Sequence, residues 1–398
     1  MLIKIDETVM EDIKEQLQSM DEESLEIKVL DNLATAVREG YHIIIASLEV
    51  LEFLKKLTLL ENKSKRIYEQ LFLRYAFLGA YEDFCNEYIL IKSKNYSFNK
   101  TKHLGKCIYE TPINFFEALI TVFPTALVSE DLNDCIFYES LTRKYIVENK
   151  HKINVNLSLD YHHGGGQGSH KIFENKINDG RLTLAIADSD KSHPDDKIGN
   201  TLSELITVYG RYENDRIIDL YGLKVREKEN LVPPSFYLLC ANSGGREAVK
   251  KLLKVERAVE QQPKLKYMDV KDGLKVKDLK KDIVYRDYYE DLFKEVTDLI
   301  ACSCEEINNK EDEFQLIQGI GGKLECFLED VLGDGLERKL EQKRQIQGIP
   351  QDAIKIIEEN IKKKNNLFSD LPEYVKNEWE VICTKIISWG CSEHHISV

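Results

Sequence analysis

The chain has 398 residues, room for two or three domains. A formal net charge of −14, with 42% apolar residues, excludes both a generally basic nucleic-acid coat and a disordered polyelectrolyte. No apolar run is long enough to span a bilayer and the first residues lack a signal-peptide pattern, so the expected setting is cytoplasmic, with no membrane partner.

Residues 1–122 are expected to form a helical domain. Leu30, Leu33, Ala34 and Val37, then Ile45, Leu48, Leu51 and Leu54, recur at the three- and four-residue spacing of amphipathic helices. The stretch 67–88 continues that pattern, and its aromatic stripe reads as core. The polar stretch 95–101 reads as a loop. Pro124 ends the preceding helix, because proline disfavours helix in the residue before it.

The pattern then changes, and residues 123–240 read as an α/β domain. An apolar strand at 125–130 precedes a helix from Asp131 to about Glu148, and a second strand covers 153–161. The run Gly164-Gly165-Gly166-Gln167-Gly168 follows, then a short helix at 171–177 and a strand at 182–188. Apolar runs bounded by turn residues are the mark of buried parallel strands, and their alternation with helices predicts a parallel sheet flanked by helices. Another apolar stretch lies at 216–220, and Pro233-Pro234 marks a turn near the domain's end.

Residues 241–398 are expected to be helical again. The segment 246–281 carries twelve basic and six acidic residues, a local reversal of the global charge. Lys250, Lys251, Lys254 and Arg257 fall at helical spacing, either as a solvated helix face or as a surface that tracks a phosphate backbone. The Gly-Ile-Gly core of residues 318–323 suits a phosphate turn between helices or a glycine-rich helix cap. Cys302, Cys304, Cys383 and Cys391, the last two near His394-His395, fit no standard zinc spacing. The nine cysteines, none in a Cys-x-x-Cys pair, read as reduced thiols.

The chemistry lies in two strand ends. One apolar run closes on Glu130, with Asp134 four residues on; the other closes on Asp188-Ser189-Asp190. Functional groups gather at the carboxyl ends of parallel strands, and acidic residues there suit Mg2+, with Mn2+ as a substitute. Asp188 and Asp190, two apart on an extended segment, are placed to share one ion; Glu130 completes a second metal position or is the base that activates water, and Asp134 is an outer ligand. Glu139 and Glu148 compete with Glu130, but only Glu130 leaves about twenty residues for a crossover helix before the next strand. Lys191, Gly164, Gly165 and Gly166 are candidate phosphate contacts. His162, His163 and His170 bracket the glycine run and read as polar turn residues.

This arrangement resembles the Toprim domain of topoisomerases, primases and the OLD-type nucleases of phage defence. The resemblance rests on Glu130 at the end of the first strand, the glycine run after the second, and Asp188-x-Asp190 after the third. Glu130-x-x-x-Asp134 is similar to the Glu-Gly-x-x-Asp opening of the OLD branch, with Asp131 where glycine is usual. Glu227-Lys228-Glu229-Asn230 is similar to a downstream acidic motif in some defence-associated members. The resemblance implies a Toprim-like α/β fold and a Mg2+-dependent nuclease acting on DNA or RNA, in the setting of an antiphage effector. The chain lacks a Gly-x-x-x-x-Gly-Lys-Ser/Thr loop. Nucleotide-driven control would then come from an ATPase or sensor partner, within an oligomer or larger complex. The contrasting expectation is an interaction protein with a degenerate Toprim fold.

Overall fold

The computed structural model describes residues 1–165, 168–240, 245–346 and 348–396. The chain divides into two compact units. The first comprises Met1–Ala187, Ser203–Tyr221 and Val381–Val398; the second comprises Asp188–Leu202 and Gly222–Glu380. The division thus departs from three consecutive stretches, because the last segment of the chain returns to the first unit.

The N-terminal region is not a helical domain. It holds β1 (Leu2–Ile5), β2 (Ile43–Ala46), β3 (Glu87–Lys92), β4 (Asn99–His103) and β5 (Lys106–Pro112) in the order β2-β1-β3-β5-β4. β1 pairs in parallel with β2 and β3, and β3 with β5; β4 runs antiparallel to β5. The reason for the departure is visible at Ile45. The spacing of Ile45, Leu48, Leu51 and Leu54 runs across a junction: Ile45 belongs to β2, and the leucines to helix Leu48–Leu54, capped by Ser47. Strands of four apolar residues carry no period of their own, so the neighbouring helical rhythm absorbed them. The Leu30–Val37 pattern does lie in a helix, Leu25–Arg38, with all four apolar positions buried. The polar stretch read as a loop runs into the edge strand β4. A two-residue turn links β4 to β5, in which Leu104 and Gly105 both have positive φ, as hairpin twist requires.

The second sheet of this unit contains β6 (Thr125–Ser129), β8 (Leu159–His163), β9 (Thr183–Ala187) and β10 (Ile218–Gly222), ordered β10-β9-β6-β8; the short β7 (Asn156–Leu157) pairs separately with Cys391–Ser392. β6 is parallel to both β8 and β9. Every residue of β6 and β9 is buried, as in strands covered on both faces. Helices Leu132–Glu148 and Ser169–Asn178 pack against them. The α/β reading of this region therefore holds at the level of a mixed fold with parallel strands flanked by helices.

The two sheets of the first unit share a buried ionic cluster. Lys385 Nζ lies 2.7 Å from Glu87 Oε1 on β3 and also binds Asp219 Oδ2 on β10. Tyr109 OH and Trp389 Nε1 donate to Glu87 Oε2 at 3.2 and 2.9 Å. Lys100 Nζ stands 4.0 Å from Asp219.

The second unit is largely helical, with Arg246–Arg257, Ile283–Glu295, Gly335–Gln345 and Gln351–Lys364 among its helices. It is not wholly helical: β11 (Gly273–Lys275) and β12 (Gln315–Gln318) form an antiparallel ribbon. Its core holds Tyr289, Phe327 and Trp379, and the Trp379 indole donates to Leu231 O at 2.6 Å. Among the described residues, no helix is long and apolar enough to cross a membrane.

Candidate functional site

Glu130 is the first residue past β6, and Asp188 the first past β9. β6 and β9 are neighbours in register, Ala126 with Thr183 and Val128 with Ala185, so two residues further Glu130 stands level with Ala187, the last residue of β9. Glu130 is half-buried. The competing glutamates are both helical. Glu139 is buried in helix Leu132–Glu148, where it pairs with Arg143 and accepts from Tyr161 OH; Glu148 lies 3.5 Å from Lys144 at the helix end.

The turn after Glu130 is built by capping. Asp131 is the N-cap, accepting from Asn133 N at 2.8 Å, and Asp134 Oδ2 accepts from Asp131 N at 2.9 Å to close a capping box. Asp131 has φ −128°, extended backbone that calls for no glycine. Asp134, expected as an outer metal ligand, is 4% exposed and committed to this cap. Asp131→Ala should lower stability by about 1 kcal/mol, read from the urea midpoint.

The glycine run leaves β8 and opens helix Ser169–Asn178. Gly164 packs so closely on Ser169 that a side chain there would overlap its backbone, and Gly165 has φ +61°. The third candidate of the run, Gly166, lies outside the described residues. His162 Nε2 is 2.9 Å from Asp160, which also binds Arg181 at 2.9 Å, and His170 Nδ1 is 2.8 Å from Glu204.

Asp188, Ser189 and Asp190 belong to the second unit. Asp190 adopts φ +56°, a left-handed conformation that aspartate tolerates better than most residues. Three bonds hold it: Asp190 N donates to Arg226 O at 2.9 Å, Ser189 Oγ to Val225 O at 2.6 Å, and Gly199 N to Ser189 O at 2.8 Å. A Cβ at Gly199 would collide with the Asp190 carboxylate. Asp190 does not extend along its strand beside Asp188; the turn sends it into a cavity of about 440 Å3 lined by Ser192, Asp196, Arg226, Asp269, Asp282 and Tyr285, among others. Desolvation by the cavity wall raises the Asp190 carboxyl above its ordinary value, and Arg226 opposes the shift. Arg226 lies 3.2 Å from Asp269 Oδ2. Ser192 donates to Asp196 Oδ2 through both its N–H (2.9 Å) and its Oγ (2.5 Å). This cavity had no local signal in the chain, since its carboxylates come from positions spread between 190 and 282.

The remaining candidates have structural occupations. Lys191 Nζ donates to Pro194 O at 3.0 Å, within its own loop. Lys250, Lys251, Lys254 and Arg257 share helix Arg246–Arg257, but Lys250 is 2.6 Å from Glu247 and Lys254 is 3.6 Å from Asp298. Glu227 caps the turn Lys228–Leu231, and Glu229 is buried 3.5 Å from Lys271. The Gly-Ile-Gly turn follows β12 and precedes a five-residue helix, so it does not join two helices. Cys383 and Cys391 are buried, with Cys391 Sγ 3.7 Å from Cys85 Sγ. Among the described residues, no three His, Cys, Asp or Glu side chains converge as a metal centre. No family model, curated protein or solved structure matches the chain.

Proposed function

We propose that the chain is a Toprim-type nuclease that hydrolyses phosphodiester bonds of DNA or RNA. The observation that supports this reading is the order of the strand ends in the second sheet. A glutamate follows β6, a glycine run follows β8, and Asp-x-Asp follows β9, with β6 and β9 adjacent and parallel. In this reading Glu130 accepts the proton of the attacking water, and Asp188 and Asp190 supply the acidic edge. Mg2+, or Mn2+ in its place, belongs to the proposal because the family resembled uses it and carboxylate oxygens suit a hard cation. Among the described residues, these side chains do not form a three-ligand centre. Control by an ATPase or sensor partner, as in phage-defence members of the family resembled, is part of the same proposal.

The second reading, an interaction protein with an inert acidic edge, is favoured by the capping role of Asp134 and the turn of Lys191 toward Pro194 O. Metal and activity separate the two. Under the nuclease reading Mn2+ raises the melting temperature by mass action. The purified protein, alone or with a partner, then cleaves mixed nucleic acids, and Asp188→Ala abolishes cleavage with its fold intact. An unchanged melting temperature together with no cleavage assigns the chain to the interaction reading.

A further inference from the structure

A second charged feature lies in the first unit, on elements that carry none of the acidic strand ends. Between helices Leu48–Leu54 and Asn62–Leu73 is a cleft of about 420 Å3 lined by Lys55, Lys56, Asn62, Lys65, Arg66 and Glu69. Four cations thus line the cleft with one carboxylate, Glu69, and a second, Glu52, pairs with Lys55 and Lys56, which leaves a local excess of positive charge in a chain whose net charge is −14. Such a concentration opposes the global field and draws anions locally.

The cations are not equivalent. Lys55 is held on two sides, by Glu52 at 2.7 Å and by the Phe72 ring, whose centroid is 3.5 Å from its Nζ. Lys56 reaches the same Glu52. One carboxylate therefore orients two lysines and cannot neutralise both. Lys65 and Arg66 stand one turn into helix Asn62–Leu73 and line the cleft from that side. Lys, Arg and the Asn62 amide nitrogen are donors, and a guanidinium beside ammonium groups matches the oxygens of a phosphate. Every lining residue is polar or charged, which suits recognition of phosphate without recognition of a base.

We propose that this cleft binds the phosphate groups of a nucleic-acid strand or of a free nucleotide. The inference does not depend on the nuclease reading and survives its failure.

The test uses the full chain in EDTA, so that binding is read without cleavage. A labelled single-stranded oligonucleotide is titrated at several salt concentrations, with ATP and inorganic phosphate as competitors. Lys65→Ala/Arg66→Ala is expected to weaken binding about tenfold and to reduce the salt slope by about 1.4, the loss of two single-strand phosphate contacts. Lys56→Glu should weaken binding independently, and melting curves establish that each variant is folded. Lys14→Ala/Lys28→Ala removes the same charge from the same unit at exposed positions paired with Glu49 and Glu23, and should leave the slope unchanged. Oligonucleotide binding that is lost in the cleft variants identifies a nucleic-acid strand as the source. Binding of ATP or phosphate alone, lost in the same variants, supports the cleft with a free nucleotide or phosphate as the source. No binding, or an equal loss in the Lys14/Lys28 control, overturns the proposal.

Discussion

Lys385→Ala is expected to destabilise the first unit by about 3–5 kcal/mol, the cost of removing one partner from a buried ion pair. Lys385 holds two carboxylates, Glu87 and Asp219, that come from different sheets. Both are at most 13% exposed as side chains; Glu87 would be left as a buried charge, and Asp219 with only Lys100, 4.0 Å away, to offset it. Burial already raises the Asp219 carboxyl above its ordinary value, with Glu87 adding to the shift and Lys385 opposing it. Against its own cost of burial, Lys385 is held protonated above the ordinary lysine value by Asp219 and then Glu87. Tyr109 and Trp389 would still donate to Glu87, but neither carries a charge. The urea midpoint of the first unfolding transition measures the loss. Neutralising the carboxylates together, in Lys385→Met/Glu87→Gln/Asp219→Asn, should recover most of it. If Lys385→Ala unfolds at the wild-type midpoint, water must already solvate the cluster and the network carries little of the fold.

The same cluster shows why some of this fold was legible in the chain and some was not. β6 and β9 could be read because each is a run of apolar residues that stops abruptly at a carboxylate, a local pattern with a direct structural meaning. β1 and β2 could not, because four residues, Leu-Ile-Lys-Ile or Ile-Ile-Ile-Ala, beside an amphipathic helix look like one more turn of it. Lys385, Glu87 and Asp219 meet only after the C-terminal segment returns to the first unit, and no short window of sequence contains that return. The acidic strand ends follow the same division. That Glu130 and Asp188 leave neighbouring strands was readable from the order of the elements. That Asp134 would serve as a cap was a competing local use of the same carboxylate, equally favoured by a position three residues after Asp131. The left-handed turn of Asp190 had no signal of its own, since it depends on Gly199, Val225 and Arg226.

Glu227→Gln is expected to stabilise the second unit at alkaline pH and to change little in acid. The Glu227 carboxyl is pushed up to about 8, first by burial and then by the negative charges of Glu229 and Asp269; Arg226 and Lys271 oppose the shift. A group whose folded value lies above its unfolded value favours the fold fully below the unfolded value, near 4.5. That contribution falls as pH rises and is lost once pH passes the folded value, about 8. Between these limits the unfolded chain gives up its proton while the folded chain keeps it, so wild-type stability declines through the neutral range. Glutamine removes the titration and leaves the cap's bonds in place, since Asn230 N donates to the Glu227 backbone carbonyl and Glu227 N to Asn230 Oδ1. The variant should therefore match wild type near pH 4 and exceed it by about 5 kcal/mol at pH 9, the order of magnitude that a shift of this size carries. Urea melts across that range read the difference directly. Stability curves that stay parallel from pH 4 to 9 would mean that Glu227 ionises as freely in the fold as in the unfolded chain. The cap would then be solvated, and the acidic pair with Glu229 would carry no strain.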